Sequence, residues 1–218
     1  MQFDIQGNPD VGELRVTLED AETVWSEAGA MSRMSGDMDM TTRLVGGFFK
    51  AFVRKMVGGE SLFVGEYQAT RPGQSVSFSP ACPGTILHRK LEGDSLMLTA
   101  GSYLACSPGL NFKTKFGGLK AFFSGESVFF IEVSGEGDLF FNSYGGIIEK
   151  DIEGACTVDT GHLVAWEPSL DWTIGGMGGI KQTLFSGEGL VIKFSGQGKV
   201  YLQTRQLPGI AGWLEYYC

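Results

Sequence analysis

Self-similarity constrains a fold more than local propensity does, because every copy must build the same unit and bury its face on a neighbour. Three stretches of this chain align without a gap: GAMSRMSGDMDMTT from Gly29, GSYLACSPGLNFKT from Gly101 and GHLVAWEPSLDWTI from Gly161. Met34, Cys106 and Trp166 coincide, as do Met38, Leu110 and Leu170, and then Met40, Phe112 and Trp172. Asp39, Asn111 and Asp171 fall between the last two sets, so each copy alternates apolar with polar, the period of a strand with one buried face. Each stretch leads into a glycine-rich link, GGFFKAF, GGLKAFF or GGIKQTLF, and then into a second element, GESLFV, GESVFF or GEGLVI. Farther along, SGEGDLFFNS from Ser134 matches SGQGKVYLQT from Ser195, and ILHRKLEGDS from Ile86 matches IIEKDIEGAC from Ile147. The first interval is longer than the second because of extra residues near 50–57 and 70–74.

The chain begins and ends out of phase with this repeat. Units near 58–124 and 125–186 are whole, and 1–57 needs 187–218 to complete it. The expectation is one all-β domain over 1–218 with pseudo-threefold symmetry, closed by pairing of its N- and C-terminal strands, which also removes exposed sheet edges. Short runs rich in aromatic and β-branched residues agree: Glu13 to Leu18, Leu62 to Gln68, Ser75 to Ser79, Val128 to Val133, Asp138 to Asn142, Leu190 to Phe194 and Lys199 to Thr204. The 33 glycines and 7 prolines in 218 residues supply the turns between them, and argue against an all-helical protein.

The combination of GGFFKAFVRKMVGGESLF, three GES-type elements, the PACPGTI loop and the SGEGDLF hairpin resembles the altered-inheritance-of-mitochondria, or mitochondrial biogenesis, family, in its bacterial branch long catalogued as a domain of unknown function. The resemblance covers almost the whole chain. It implies the fold of the trp RNA-binding attenuation protein (TRAP), a short double-stranded β-helix, in three tandem TRAP-like units. For function it implies little, since no catalytic residue set comes with it; mitochondrial members are associated with inner-membrane organisation.

The residues themselves point away from most chemistry. With 17 basic and 25 acidic side chains the formal charge is −8, so no nucleic acid is expected as a partner. The N-terminus MQFDIQGNPDVGEL reads as neither a secretory nor a mitochondrial leader, and no apolar run reaches the roughly 20 residues of a spanning helix, which suggests a cytoplasmic protein. The four cysteines are far apart, without a C-x-x-C pair, and read as free thiols, Cys106 buried and Cys218 exposed. His88 and His162 are too few for a metal site and read as exposed or hydrogen-bonded; no cofactor, metal or catalytic residue is expected. Glu60, Glu126 and Glu188 of the GES-type elements read as solvated turn residues.

One segment stands apart. On a helical wheel Val45, Phe48, Phe49, Phe52, Val53 and Met56 share a face, with Lys50 and Arg54 opposite, and Lys55 adds a third basic charge to the segment. Phe48, Phe49, Lys50, Phe52, Arg54, Lys55 and Met56 are the candidate interaction surface. A basic amphipathic stretch on an acidic protein suits a protein partner, a subunit interface or an anionic membrane surface, or it caps the protein's own core. Together with the aromatic tail Trp213, Tyr216 and Tyr217 it suggests a homo-oligomeric, non-catalytic scaffold or interaction module. Peripheral membrane association is the alternative, and an enzyme with a spatially assembled site a lesser one.

Overall fold

The computed structural model describes residues 1–44, 63–116, 129–176 and 190–215. Among the described residues the fold is all-β apart from two 3-10 turns and one short helix. Its first third holds β1 (Gln2–Gln6), β2 (Glu13–Leu18), β3 (Thr23–Glu27), β4 (Met31–Met34), β5 (Asp39–Leu44), β6 (Phe63–Gln68) and β7 (Gln74–Phe78). Then come β8 (Ile86–Thr99), β9 (Tyr103–Cys106), β10 (Asn111–Phe116) and β11 (Phe129–Asn142), followed by β12 (Ile147–Asp159), β13 (Leu163–Trp166), β14 (Asp171–Gly175) and β15 (Val191–Gln203). Helix α1 (Leu207–Leu214) ends the described chain.

The strands form two antiparallel sheets. The smaller has the order β1-β2-β7-β4, and the larger β12-β15-β13-β8-β11-β9-β3-β6-β5, with β10 also on β11 and β14 on β15. Long strand pairs dominate: β8 lies along β11, and β12 along β15, from Ile147 opposite Gln203 to Asp159 opposite Val191. The SGEGDLF segment, expected as a hairpin, instead runs straight through β11. Gly135 at φ +124° and Gly93 at φ +88° absorb an irregularity at which the register shifts between Ser134 and Glu136, so the strand bends without turning back. Gly196 at φ +110° and Gly154 at φ +101° stand at the matching place in β15 and β12. In the first third, Glu19 to Glu22 and Ala69 to Gly73 interrupt the corresponding long strands, which is why β2 and β3, and β6 and β7, are separate.

Each four-residue strand follows a tight turn and pairs back with a one-residue bulge: Met31 and Arg33 with Phe78 and Ser77, Tyr103 and Ala105 with Phe141 and Phe140, Leu163 and Ala165 with Leu202 and Tyr201. On their other edges β9 meets β3, Trp25 opposite Cys106, and β13 meets β8, Met97 opposite Trp166. These joints carry side chains across. Leu104 and Ala105 enter the core built around Val16, Tyr67 and Phe78, while Val164 and Ala165 enter the one around Leu98, Val133 and Leu139. A third core gathers Trp166, Ile192, Phe194 and Val200 with Met97 and Phe130 from the preceding strands.

The expected closure of the chain by its two ends is not found. Among the described residues β15 pairs with β12, β13 and β14, whereas β2 pairs with β1 and β7 in the other sheet, and the sheets do not close into a barrel.

The physical reason for the open ends lies in β4. Where β9 and β13 have Leu104-Ala105 and Val164-Ala165, all fully buried, β4 has Ser32 and Arg33, both exposed. A guanidinium cannot enter the third core unpaired without a cost of several kcal/mol. It turns outward to Glu13 instead, Nη1 donating to Oε2 at 2.6 Å, while Ser32 Oγ donates to the same oxygen at 3.1 Å. The Arg33 bond, more than anything else, holds the Glu13 carboxyl below its ordinary range. A charged residue on a short edge strand also blunts pairing with other chains.

Candidate functional site

The connectors between the long strand pairs lie against one another. Gly84 and Gly145 form a parallel bridge, with Thr85 N donating to Gly145 O at 3.2 Å and Gly145 N to Pro83 O at 2.9 Å. A Cβ on Gly84 would lie 2.1 Å from Ser143 O, so the glycine of PACPGTI is needed for this approach. Thr204 N reaches Gly146 O at 3.0 Å, bringing in the end of β15.

Beside these connectors lies a cavity of about 420 Å³. Each of the three aligned glycine-led turns contributes to it: Glu27 before the first, Thr99, Gly101 and Ser102 from the second, and Thr160, Gly161 and Leu163 from the third. The connectors supply Ala81 and Cys82, then Asn142 and Tyr144, then Gln203 with Leu207 at the head of α1. Three stretches remote in sequence thus meet at one space because the strands before and after them are paired in the same way.

Most polar groups of the wall are engaged within the protein. Gln203 Nε2 donates to Gly161 O at 2.8 Å and its Oε1 accepts from Tyr144 N at 2.9 Å. Thr160 Oγ1 donates to Leu190 O at 2.8 Å, and Thr99 Oγ1 to Val164 O at 3.2 Å while sharing a 2.5 Å hydrogen bond with Ser102 Oγ. Asn142 differs: it is 7% exposed and its Oδ1 has no hydrogen-bond partner.

The candidate interaction residues Phe48, Phe49, Lys50, Phe52, Arg54, Lys55 and Met56 lie outside the described residues, as do Glu60, Glu126 and Glu188. Asp39, Asn111 and Asp171 are exposed, and Met38, Leu110 and Leu170 buried, as the alternation implies. His88 Nε2 is 2.8 Å from Asp138 Oδ1, and its ring lies 4.5 Å from that of Phe3 and 5.0 Å from that of Phe140. His162 Nδ1 is 2.8 Å from Gln203 O, which agrees with reading both histidines as hydrogen-bonded. Cys82, Cys106 and Cys156 are free thiols; Cys106 is buried beside the Tyr103 hydroxyl, and burial pushes its thiol up to about 12. Cys218 lies outside the described residues. Among the described residues no group of three or more His, Cys, Asp or Glu is placed to hold a metal, and no helix is long and apolar enough to cross a membrane.

Sequence reasoning missed the cavity and helix α1. Pro208 in the first helical turn was a signal for the helix. For the cavity the aligned glycines and the Asn142–Gln203 correspondence were visible, but not their convergence.

The family model for mitochondrial biogenesis AIM24 matches residues 3–205. The chain belongs to the AIM24 family. An uncharacterized protein of Streptococcus pyogenes serotype M6 is 30% identical to this AIM24 chain over 226 residues, covering all of the chain and 91% of the relative. The crystal structure of another S. pyogenes protein, solved by a structural genomics consortium, superposes with a TM-score of 0.83 at 29% identity, covering 100% of this chain and 99% of that one. The alignments leave out only 9% of the first relative and 1% of the second, so the likeness extends over nearly the whole of both.

Proposed function

We propose that this AIM24 chain is a non-catalytic interaction module built of three tandem TRAP-like double-stranded β-helix units, and that it assembles with copies of itself. The observation that carries this reading is α1. Its sequence LPGIAGWL has no charge, and Leu207, Ile210, Trp213 and Leu214 are between 38% and 61% exposed. The other exposed large hydrophobics among the described residues, Phe3, Val11, Met34, Met40 and Ile148, are scattered along the sequence, whereas these four are grouped on one short element, which supports reading it as a contact surface. The basic amphipathic segment 46–59 would add a second one, and a cytoplasmic setting suits a chain whose three described cysteines are free thiols.

Light scattering on the full chain at micromolar concentration tests the proposal. An oligomer that Trp213→Asp with Leu214→Asp reduces to monomer supports it, and a monomeric wild type overturns it. The apolar, uncharged character of α1 also suits a membrane surface, with Lys50, Arg54 and Lys55 adding on the order of 1 kcal/mol each near anionic lipid. Flotation with anionic liposomes that is lost when these three become Glu would place that reading first.

A further inference from the structure

We propose that the outer edge of β12 is a docking site for a short extended segment of another protein, apolar like Leu163–Trp166 and closed, as that strand is, by a carboxylate. The chain builds this kind of joint twice within itself. β9 lies between β11 and β3, and β13 between β15 and β8, each laying a buried apolar strand along the end of an earlier one. The end of β12 has the same place before the third aligned glycine, yet among the described residues β12 pairs with β15 alone. Counting back from Gly29, Gly101 and Gly161 puts Trp25, Met97 and Thr157 at one position and Ser26, Leu98 and Val158 at the next. In the two filled joints Trp25 and Met97 lie opposite Cys106 and Trp166, and Ser26 and Leu98 opposite Ala105 and Ala165. Met97 is buried there, whereas Thr157 is exposed, beside a Val158 that belongs to the third core.

Charge specifies the occupant further. At the β8 joint Arg89 Nη1 donates to Glu167 Oε1 at 3.3 Å, and Glu167 directly follows β13. The match of ILHRKLEGDS with IIEKDIEGAC puts Lys150 where β8 has Arg89 and Ile148 where it has Leu87. The registers agree, since Arg89 lies opposite Leu139 and Lys150 opposite Val200, the equivalent residues of β11 and β15. Leu87 packs against a core, but Ile148 is 52% exposed, and Lys150 is exposed and makes no ion pair among the described residues. The chain's own β4, taken from a second copy, does not suit the place. It offers Ser32 and Arg33 where the filled joints have Leu104-Ala105 and Val164-Ala165, and Ser35 where Glu167 stands. A segment of the β13 kind adds main-chain hydrogen bonds to the free edge, lays its apolar pair beside Val158 and brings its carboxylate to Lys150.

Fluorescence anisotropy of the full chain with fluorescein-labelled GHLVAWEPSL, the sequence of residues 161–170, tests the proposal. This peptide should bind with a Kd of about 100 μM or tighter, and GAMSRMSGDM, residues 29–38, at least tenfold more weakly. Lys150→Glu should weaken binding of GHLVAWEPSL at least threefold and should strengthen binding of the same peptide carrying Glu167→Lys by a similar factor. Because the β8 joint uses Arg89, this exchange of charge places the peptide on β12 and not in the seat of β13. Thr157→Met, which gives β12 the residue of β8, should tighten binding at least twofold. Both substitutions are at exposed positions, so both chains should keep the wild-type circular dichroism spectrum. No binding of GHLVAWEPSL with the chain at about 1 mM, equal binding of GAMSRMSGDM, no response of either charge form to Lys150→Glu, or no gain in Thr157→Met overturns the proposal.

Discussion

Strands β4 and β9 occupy the same place in the chain's repeating order and make the same bulged pairing, yet one is exposed and the other wholly buried. Tyr103–Cys106 is flanked by β11 and β3, and its Leu104 and Ala105 complete a neighbour's core. Met31–Met34 is flanked by β7, and its middle pair, Ser32 and Arg33, binds Glu13 at the surface. The difference teaches that pairing geometry and core contribution are separable: the bulge and register survive with polar residues, but the joint to a further unit does not form. Among the described residues, then, the polar Ser32-Arg33 pair goes with a strand hydrogen-bonded on one edge, and the apolar Leu104-Ala105 pair with one hydrogen-bonded on both.

The comparison breaks most severely if β9 is given the chemistry of β4. Ala105→Arg buries an unpaired charge between two strands, a cost comparable with the whole stability of a domain at about 5–15 kcal/mol. The expected outcome is an unfolded or insoluble chain, seen as loss of the near-ultraviolet circular dichroism signal. A milder change in the same strand, Leu104→Ala, should cost about 2–5 kcal/mol in urea unfolding, whereas Ser32→Ala at the matching site of β4 should fall within about 0.5 kcal/mol. Equal effects at the two sites would mean that their environments are alike after all.

The converse exchange sharpens the point. Ser32→Leu with Arg33→Ala gives β4 the Leu-Ala pair of β9 and removes the edge charge, so the apolar edge should pair with another chain. Sedimentation velocity should show concentration-dependent self-association beyond that of the wild type, with folding stability altered by about 1 kcal/mol or less. The smallest expected effect is the ion pair's own. Because Arg33 holds the folded-state Glu13 carboxyl below its ordinary value, the associated stabilisation is present above the ordinary carboxylate range and is lost as pH falls through the lowered value. With the Arg33 side chain 59% exposed, this amounts to less than about 1 kcal/mol, and Arg33→Ala should flatten that part of the acid unfolding curve.

The strand content was legible because hydrophobic alternation has a local cause. Glu13–Leu18 is found at the limits its sequence implies, and Met38, Leu110 and Leu170 are buried as their alignment demands. Continuity was not legible. Val128 to Val133 and Asp138 to Asn142 read as two strands because a glycine-rich SGEG between them has the composition of a turn, and only the partner strand β8, with its own Gly93, shows that it is a bulge. Closure was misjudged for a related reason. Half a unit at each end suggested pairing, while the evidence against it, Ser32-Arg33 aligned with Leu-Ala and Val-Ala, becomes decisive only once those positions are known to cross into a neighbour's core.

By itself, then, the sequence determined the all-β class, the family and the residues that alternate into the core, all of which follow from patterns a few residues long. Tertiary structure alone decided that β15 and β2 do not pair, that Arg33 faces Glu13, and that Glu27, Asn142 and Leu207 border one cavity. Those outcomes depend on distances between segments tens of residues apart, set by how two sheets and three cores stack, and no local pattern encodes a distance of that kind.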